Sequence, residues 1–212
     1  MQLDESKATQ TFCCSKTICF GCDLANQMRE LEEGKDNKCP FCRELYCDDG
    51  AKQRKRMEDN AAKMNNPFAM CAIGRRLRDD GDYQSALKYW SRAADLGHIA
   101  SHYLVACMYH SGNGVEKDMS KAIYHYEQAA VGGHALARYN LGCVEMENDQ
   151  YERAIKHWMI AAKVGCDEAV GALKSVYKQG SVSKDEFASA LRGHQAAVDA
   201  MKSPQREMAE KI

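Results

Sequence analysis

The chain has 212 residues, of which 45% are hydrophobic, with 29 basic and 30 acidic side chains and a formal charge of −1. So even a balance exerts no global pull toward nucleic acid or acidic lipid, and the apolar content is that of folded globular material. No stretch reaches the roughly 18 consecutive apolar residues that a membrane-spanning helix requires.

The first residues, Met1 to Lys7, place acids where a signal peptide needs a basic end and an apolar core. A cytoplasmic location is expected, with the nucleus as the other compartment that fits. Seven of the eleven cysteines fall at positions 13, 14, 19, 22, 39, 42 and 47. In a reducing compartment such a cluster points to metal before disulfides. Cys19-x2-Cys22 and Cys39-x2-Cys42 stand 16 residues apart, the spacing of paired zinc knuckles. Four thiolates at tetrahedral geometry suit zinc, and no histidine precedes His98, so the ligands of this head are cysteines. A structural zinc supplies on the order of 10 kcal/mol of folding free energy, enough to hold a head this small. Between the knuckles, Leu24, Met28 and Leu31 follow helical spacing up to Gly34.

Residues 13–22 and Cys39-Pro40-Phe41-Cys42-Arg43 resemble the middle and closing segments of a RING-type zinc finger. That resemblance implies one zinc on Cys13, Cys14, Cys39 and Cys42, and a second on Cys19 and Cys22. It also implies docking of a ubiquitin-conjugating enzyme by Phe20, Pro40 and Phe41, with Arg43 orienting ubiquitin. A RING opens with a further Cys-x2-Cys pair, and no cysteine precedes Cys13, so the module is incomplete. Cys47 or a second molecule would complete the second site. A single-zinc ribbon on Cys19, Cys22, Cys39 and Cys42 is the alternative. The head is assigned to residues 1–47 and a charged connecting helix to 48–66. Its basic cluster, Lys52, Arg54, Lys55 and Arg56, reads as a solvated helix face. With ten basic and twelve acidic residues over 1–60, the head is not a nucleic-acid platform.

From residue 67 one pattern returns three times. Ala86, Ala122 and Ala154 are each followed by an aromatic at +4 (Trp90, Tyr126, Trp158), by Ala-Ala at +7 and +8, and by glycine at +11. That spacing aligns the small residues and the aromatic on one helical face, and the glycine ends the helix. Upstream pairs, Ile73-Gly74, Val105-Ala106 and Leu141-Gly142, mark a partner helix in each unit, 13, 17 and 13 residues ahead of the alanine. The four extra residues of the middle unit lie in the glycine-rich segment 111–118, a loop by composition. Length variation confined to the turn is what stacked helical hairpins tolerate. Cys107 and Cys143 occupy equivalent small buried sites, and His98 and His134 equivalent sites after the glycine stop.

This spacing, with Gly112-Asn113-Gly114-Val115-Glu116-Lys117-Asp118 and Tyr139-Asn140-Leu141-Gly142, resembles Sel-like repeats, relatives of the tetratricopeptide repeat. The resemblance covers residues 67–180, as units 67–98, 99–134, 135–166 and a partial 167–180. It implies an α-solenoid that presents a surface to other proteins. Beyond it, Asp167 is expected to cap a helix through Leu173 and Val176. Ser183 and Glu186 are expected to form a capping box for a helix through Phe187, Ala190 and His194, within a helical cap at 181–212.

The expected protein is thus mainly α, an α-solenoid with a small Cys-rich zinc-finger head. It is a protein-interaction scaffold and a candidate ubiquitin-ligase component whose repeats recruit substrate. The competing expectation is a non-enzymatic adaptor with a purely structural finger. No nucleophile elbow, phosphate loop or paired catalytic carboxylates occur in the sequence.

Overall fold

The computed structural model describes residues 65–201 and, ahead of them, 8–10, 17–19, 26, 28, 29, 38 and 59. Two compact units divide the chain, Met1–Ser101 with Lys202–Ile212, and His102–Met201.

In the first unit, β1 (Ala8–Gln10) pairs antiparallel with β2 (Thr17–Cys19), setting Ala8 opposite Cys19. Asn26, Met28 and Arg29 are helical, within the segment where the spacing predicts a helix. The Asn26 side-chain amide donates to the Lys38 carbonyl at 3.3 Å. Of the connecting segment, Asp59 is helical, and Asn66 takes extended backbone as the cap of α1 (Pro67–Asp79). Its Oδ1 accepts the amides of Phe68 and Ala69, while Pro67 sits at the first helical position, where its missing N–H costs nothing. Ala69, Met70 and Ile73 of α1 close on Ala93 of α2 (Tyr83–Asp95).

The third helix, α3 (Ile99–Ser111), begins in the first unit and continues into the second. The second unit then holds α4 (Met119–Val131), α5 (Ala135–Glu147), α6 (Tyr151–Lys163), α7 (Asp167–Lys178) and α8 (Lys184–Met201). Ala154, Trp158, Ala161, Ala162, Leu173 and Ala190 belong to one buried core of this unit, and α8 packs on α6 and α7.

The repeat register holds throughout. Ala86, Ala122 and Ala154 are fully buried, as is each Ala-Ala pair to within 3%. Gly97, Gly133 and Gly165 end their helices at φ of 81°, 90° and 96°, a region closed to most L-residues. The extra residues of the middle unit lie in the α3–α4 loop, pinned where the Gly112 amide meets the Met108 carbonyl and the Asp118 amide meets that of Tyr109. The capping box at α8 forms as expected: Glu186 N–H donates to Ser183 Oγ, and Ser183 N–H to Glu186 Oε2. One boundary differs. Asp167 is the first residue of α7, and the cap position belongs to Cys166, whose side chain accepts no capping bond.

Candidate functional site

Each hairpin is closed by the aromatic at +4. Trp90 Nε1 donates to the Cys71 carbonyl at 3.1 Å, and Trp158 Nε1 donates to that of Tyr139, the equivalent residue, at 3.2 Å. In the middle repeat the aromatic is Tyr126. Its hydroxyl meets Cys107 Sγ at 3.6 Å and His110 Nδ1 at 3.3 Å. The hydroxyls of Tyr103 and Tyr126 both engage Cys107 and the Asn140 side chain, so α3, α4 and α5 share one polar knot. Tyr103 also stacks on His134, with ring centroids 4.3 Å apart.

The electrostatics of this knot are those of buried packing. Burial, then the Cys107 sulfur, pushes both phenols up, and burial raises the Cys107 thiol. Cys166 is pushed up to about 12, chiefly by burial. Thiols held protonated are poor nucleophiles.

A second position pair runs between the two helices of each repeat, three residues before the upstream anchor and three after the alanine. In the middle repeat it brings His102 Nδ1 to 2.9 Å from His125 Nδ1. The ring centroids stand 5.2 Å apart, roughly the N···N distance plus one ring radius on each side, so the nitrogens point at each other. One ring therefore donates and the other accepts. In the third repeat the same places hold Arg138 and His157. After burial, the Arg138 guanidinium is the next influence lowering the pKa of that imidazole. In the first repeat they hold Met70 and Tyr89.

His98 and His134 prove to be caps. Each accepts through Nδ1 the backbone amide three residues on, from Ser101 at 3.3 Å and from Ala137 at 3.2 Å. Only their position after the glycine stop signalled this. The His102–His125 pair and the Tyr103–Cys107–Tyr126–Asn140 knot escaped sequence reading, because they join residues on different helices.

Exposed rungs behave differently from buried ones. Two residues after the alanine stand Lys88, Tyr124 and Lys156; six after, Arg92, Gln128 and Ile160; nine after, Asp95, Val131 and Lys163. All nine are exposed, and Val131 is 83% exposed. Of the residues expected in the head site, Cys19 ends β2. Cys13, Cys14, Cys22, Cys39, Cys42, Phe20, Pro40, Phe41 and Arg43 lie outside the described residues. Among the described residues no cluster of three metal-ligating side chains occurs, and no helix is long and apolar enough to cross a membrane.

Residues 67–98 and 99–134 match the Sel1 repeat. The chain is 31% identical over 106 residues to chitin synthase regulator SKT5 of Saccharomyces cerevisiae, covering 47% of this chain and 15% of that protein. It is 30% identical over 77 residues to chitin synthase regulatory factor 2 of Schizosaccharomyces pombe, covering 36% and 15%. A crystal structure of a Sel1 repeat protein from Oxalobacter formigenes superposes with a TM-score of 0.56 at 26% identity, over 89% of this chain and 71% of that one. The fold is a Sel1/tetratricopeptide-like solenoid of helical hairpins.

Proposed function

We propose that this chain, built on Sel1 repeats, is a protein-interaction scaffold whose specificity lies in the exposed rungs of its second helices. The observation that carries this reading is the contrast within the repeats. The alanines and the buried aromatic are held nearly constant, while the exposed rungs at +6 (Arg92, Gln128, Ile160) and +9 (Asp95, Val131, Lys163) differ in all three repeats, and Tyr124 stands between Lys88 and Lys156 at +2. Packing explains the constant rows; solvent-facing rows are free to encode a partner. The test compares proteins captured by the wild type with those captured by the double variant Tyr124→Ala/Ile160→Ala, first shown to keep helicity and Tm. Partners retained by the former and lost by the latter support the reading, and identical capture sinks it. The named role of the yeast relatives makes a polysaccharide synthase one bait to include.

The head is proposed to bind zinc through its cysteines. Their all-thiolate chemistry fits a tetrahedral ion. The Asn26–Lys38 hydrogen bond supports the pairing of the two knuckles, since it ties the chain four residues after Cys22 to the residue before Cys39. Zinc counted on protein purified without added metal decides the site. About two per chain means that a second site is completed by Cys47 or another molecule; about one means a ribbon or half-RING; none removes the proposal.

Cys39-Pro40-Phe41-Cys42-Arg43 favours a second reading, a RING-type ligase component that holds a charged conjugating enzyme while the repeats hold substrate. Ubiquitin transfer by the wild type, lost in Pro40→Ala or Arg43→Ala with zinc retained, supports it. No transfer by the wild type leaves the adaptor with a structural finger.

A further inference from the structure

We propose that Asn113–Gly114, in the long loop of the middle repeat, is a site of spontaneous deamidation. The reaction requires a side-chain amide open to water, a following residue with no side chain to hinder ring closure, and a backbone N–H on that residue free to be deprotonated. Asn113 and Gly114 are both exposed. Gly114 takes φ of 71°, and among the described residues six other glycines also have positive φ. All six of those others, Gly81, Gly97, Gly112, Gly133, Gly165 and Gly180, donate their amide to a carbonyl three or four residues back, at 2.7 to 3.0 Å. The Gly114 amide donates to none among the described residues.

That difference adds to a chemical one: at Asp80–Gly81 the attacked group is a carboxylate, a poorer electrophile than the Asn113 amide. Asp80–Gly81 has the dipeptide chemistry for isomerisation, but the Gly81 amide is held by the Arg78 carbonyl at 2.9 Å and is not available to attack. At Asn113, the deprotonated Gly114 nitrogen attacks the side-chain carbonyl carbon. The bond to the side-chain nitrogen breaks, and ammonia leaves with the proton. Water then opens the five-membered imide at either carbonyl, yielding an aspartyl or an isoaspartyl linkage. One water enters, one ammonia departs, and nothing is oxidised or reduced.

The product adds a negative charge beside Glu116 and Asp118. Its isoaspartyl form also adds a backbone carbon between the two points where the loop is pinned, at Gly112 and Asp118. Asp118 caps α4 through the Lys121 amide and pairs with the Lys121 ammonium at 3.1 Å, so the change falls on the segment that starts that helix. The loop that sets this repeat apart is thereby an ageing site.

The full chain is held folded in mildly alkaline buffer and mapped by peptide mass spectrometry, with isoaspartyl methyltransferase as the probe for the isomer. The Asn113 peptide is expected to gain the mass of an amide-to-acid conversion before Asn140 or Asn148 do. Asp80–Gly81 stays unconverted, and Asn113→Gln removes the signal. An intact Asn113 in folded protein, with conversion only after unfolding in guanidinium, overturns the proposal. Isomerisation of Asp80–Gly81 in the folded chain as fast as conversion of Asn113 overturns it too.

Discussion

The indole of Trp90 occupies the space that a side chain on Gly74 would fill: a Cβ there would lie 2.6 Å from Cδ1 and closer still to Nε1. Gly142 stands in the same relation to Trp158. In the middle repeat the equivalent pair is Ala106 with Tyr126, both buried. The small residue and the aromatic thus vary together, glycine facing tryptophan and alanine facing tyrosine. Gly74→Ala is expected to destabilise by about 1–3 kcal/mol through overpacking. Adding Trp90→Tyr is expected to recover part of that loss, even though Tyr cannot reproduce the Nε1 bond to the Cys71 carbonyl. Denaturant midpoints for the two singles and the double complete the cycle, and strict additivity would show that the two positions are not coupled.

The second helices of the first two repeats are capped by Asp82 and Asp118, which accept the amides of Ser85 and Lys121, both at 3.0 Å. The third has Gln150 at that place, with no side-chain capping bond. Gln150→Asp is expected to stabilise by about 1 kcal/mol, by satisfying an orphan amide and placing a negative charge at the helix N-terminus. A rise in Tm checks it.

Burial, and after it the Arg138 guanidinium, holds the His157 imidazole below its ordinary value. The folded state therefore resists a proton that the unfolded chain accepts. Stability from this group is complete above the ordinary imidazole value, declines as pH falls from there toward the lowered one, and stays lost below it. The acid limb of a stability–pH curve should flatten in His157→Gln, and NMR should find His157 titrating below the ordinary imidazole range. A titration at or above that range would contradict the assignment.

The Cys107 and Cys166 thiols, both raised chiefly by burial, are expected to resist iodoacetamide at neutral pH in the folded chain and to react once it is unfolded. Site-resolved alkylation measures this directly.

Periodicity made the hairpins legible. Ala86, Ala122 and Ala154, with their aromatics and glycines, recur within single helices, where residues close in sequence share a face. The Ser183–Glu186 box was legible for the same reason, being three residues long. The cap of α7 was not: an acid near a helix start marks the first turn as well as the cap, and the backbone puts Asp167 inside and Cys166 at the boundary. Of the head, the cysteine spacing speaks for zinc through chemistry alone.

The sequence by itself determined the repeat unit, its register, the position of the long loop and the burial of the repeated alanines and aromatics, because each depends on short-range helical geometry; Cys107 and Cys143, expected to be buried, are only half-buried. Only tertiary structure decided that His102 and His125 share a hydrogen bond, that Tyr103 and Tyr126 converge on Cys107, and that Gly81 is locked while Gly114 is open. Those outcomes depend on how one helix is turned against the next and on where each backbone amide finds its acceptor. No local periodicity encodes either.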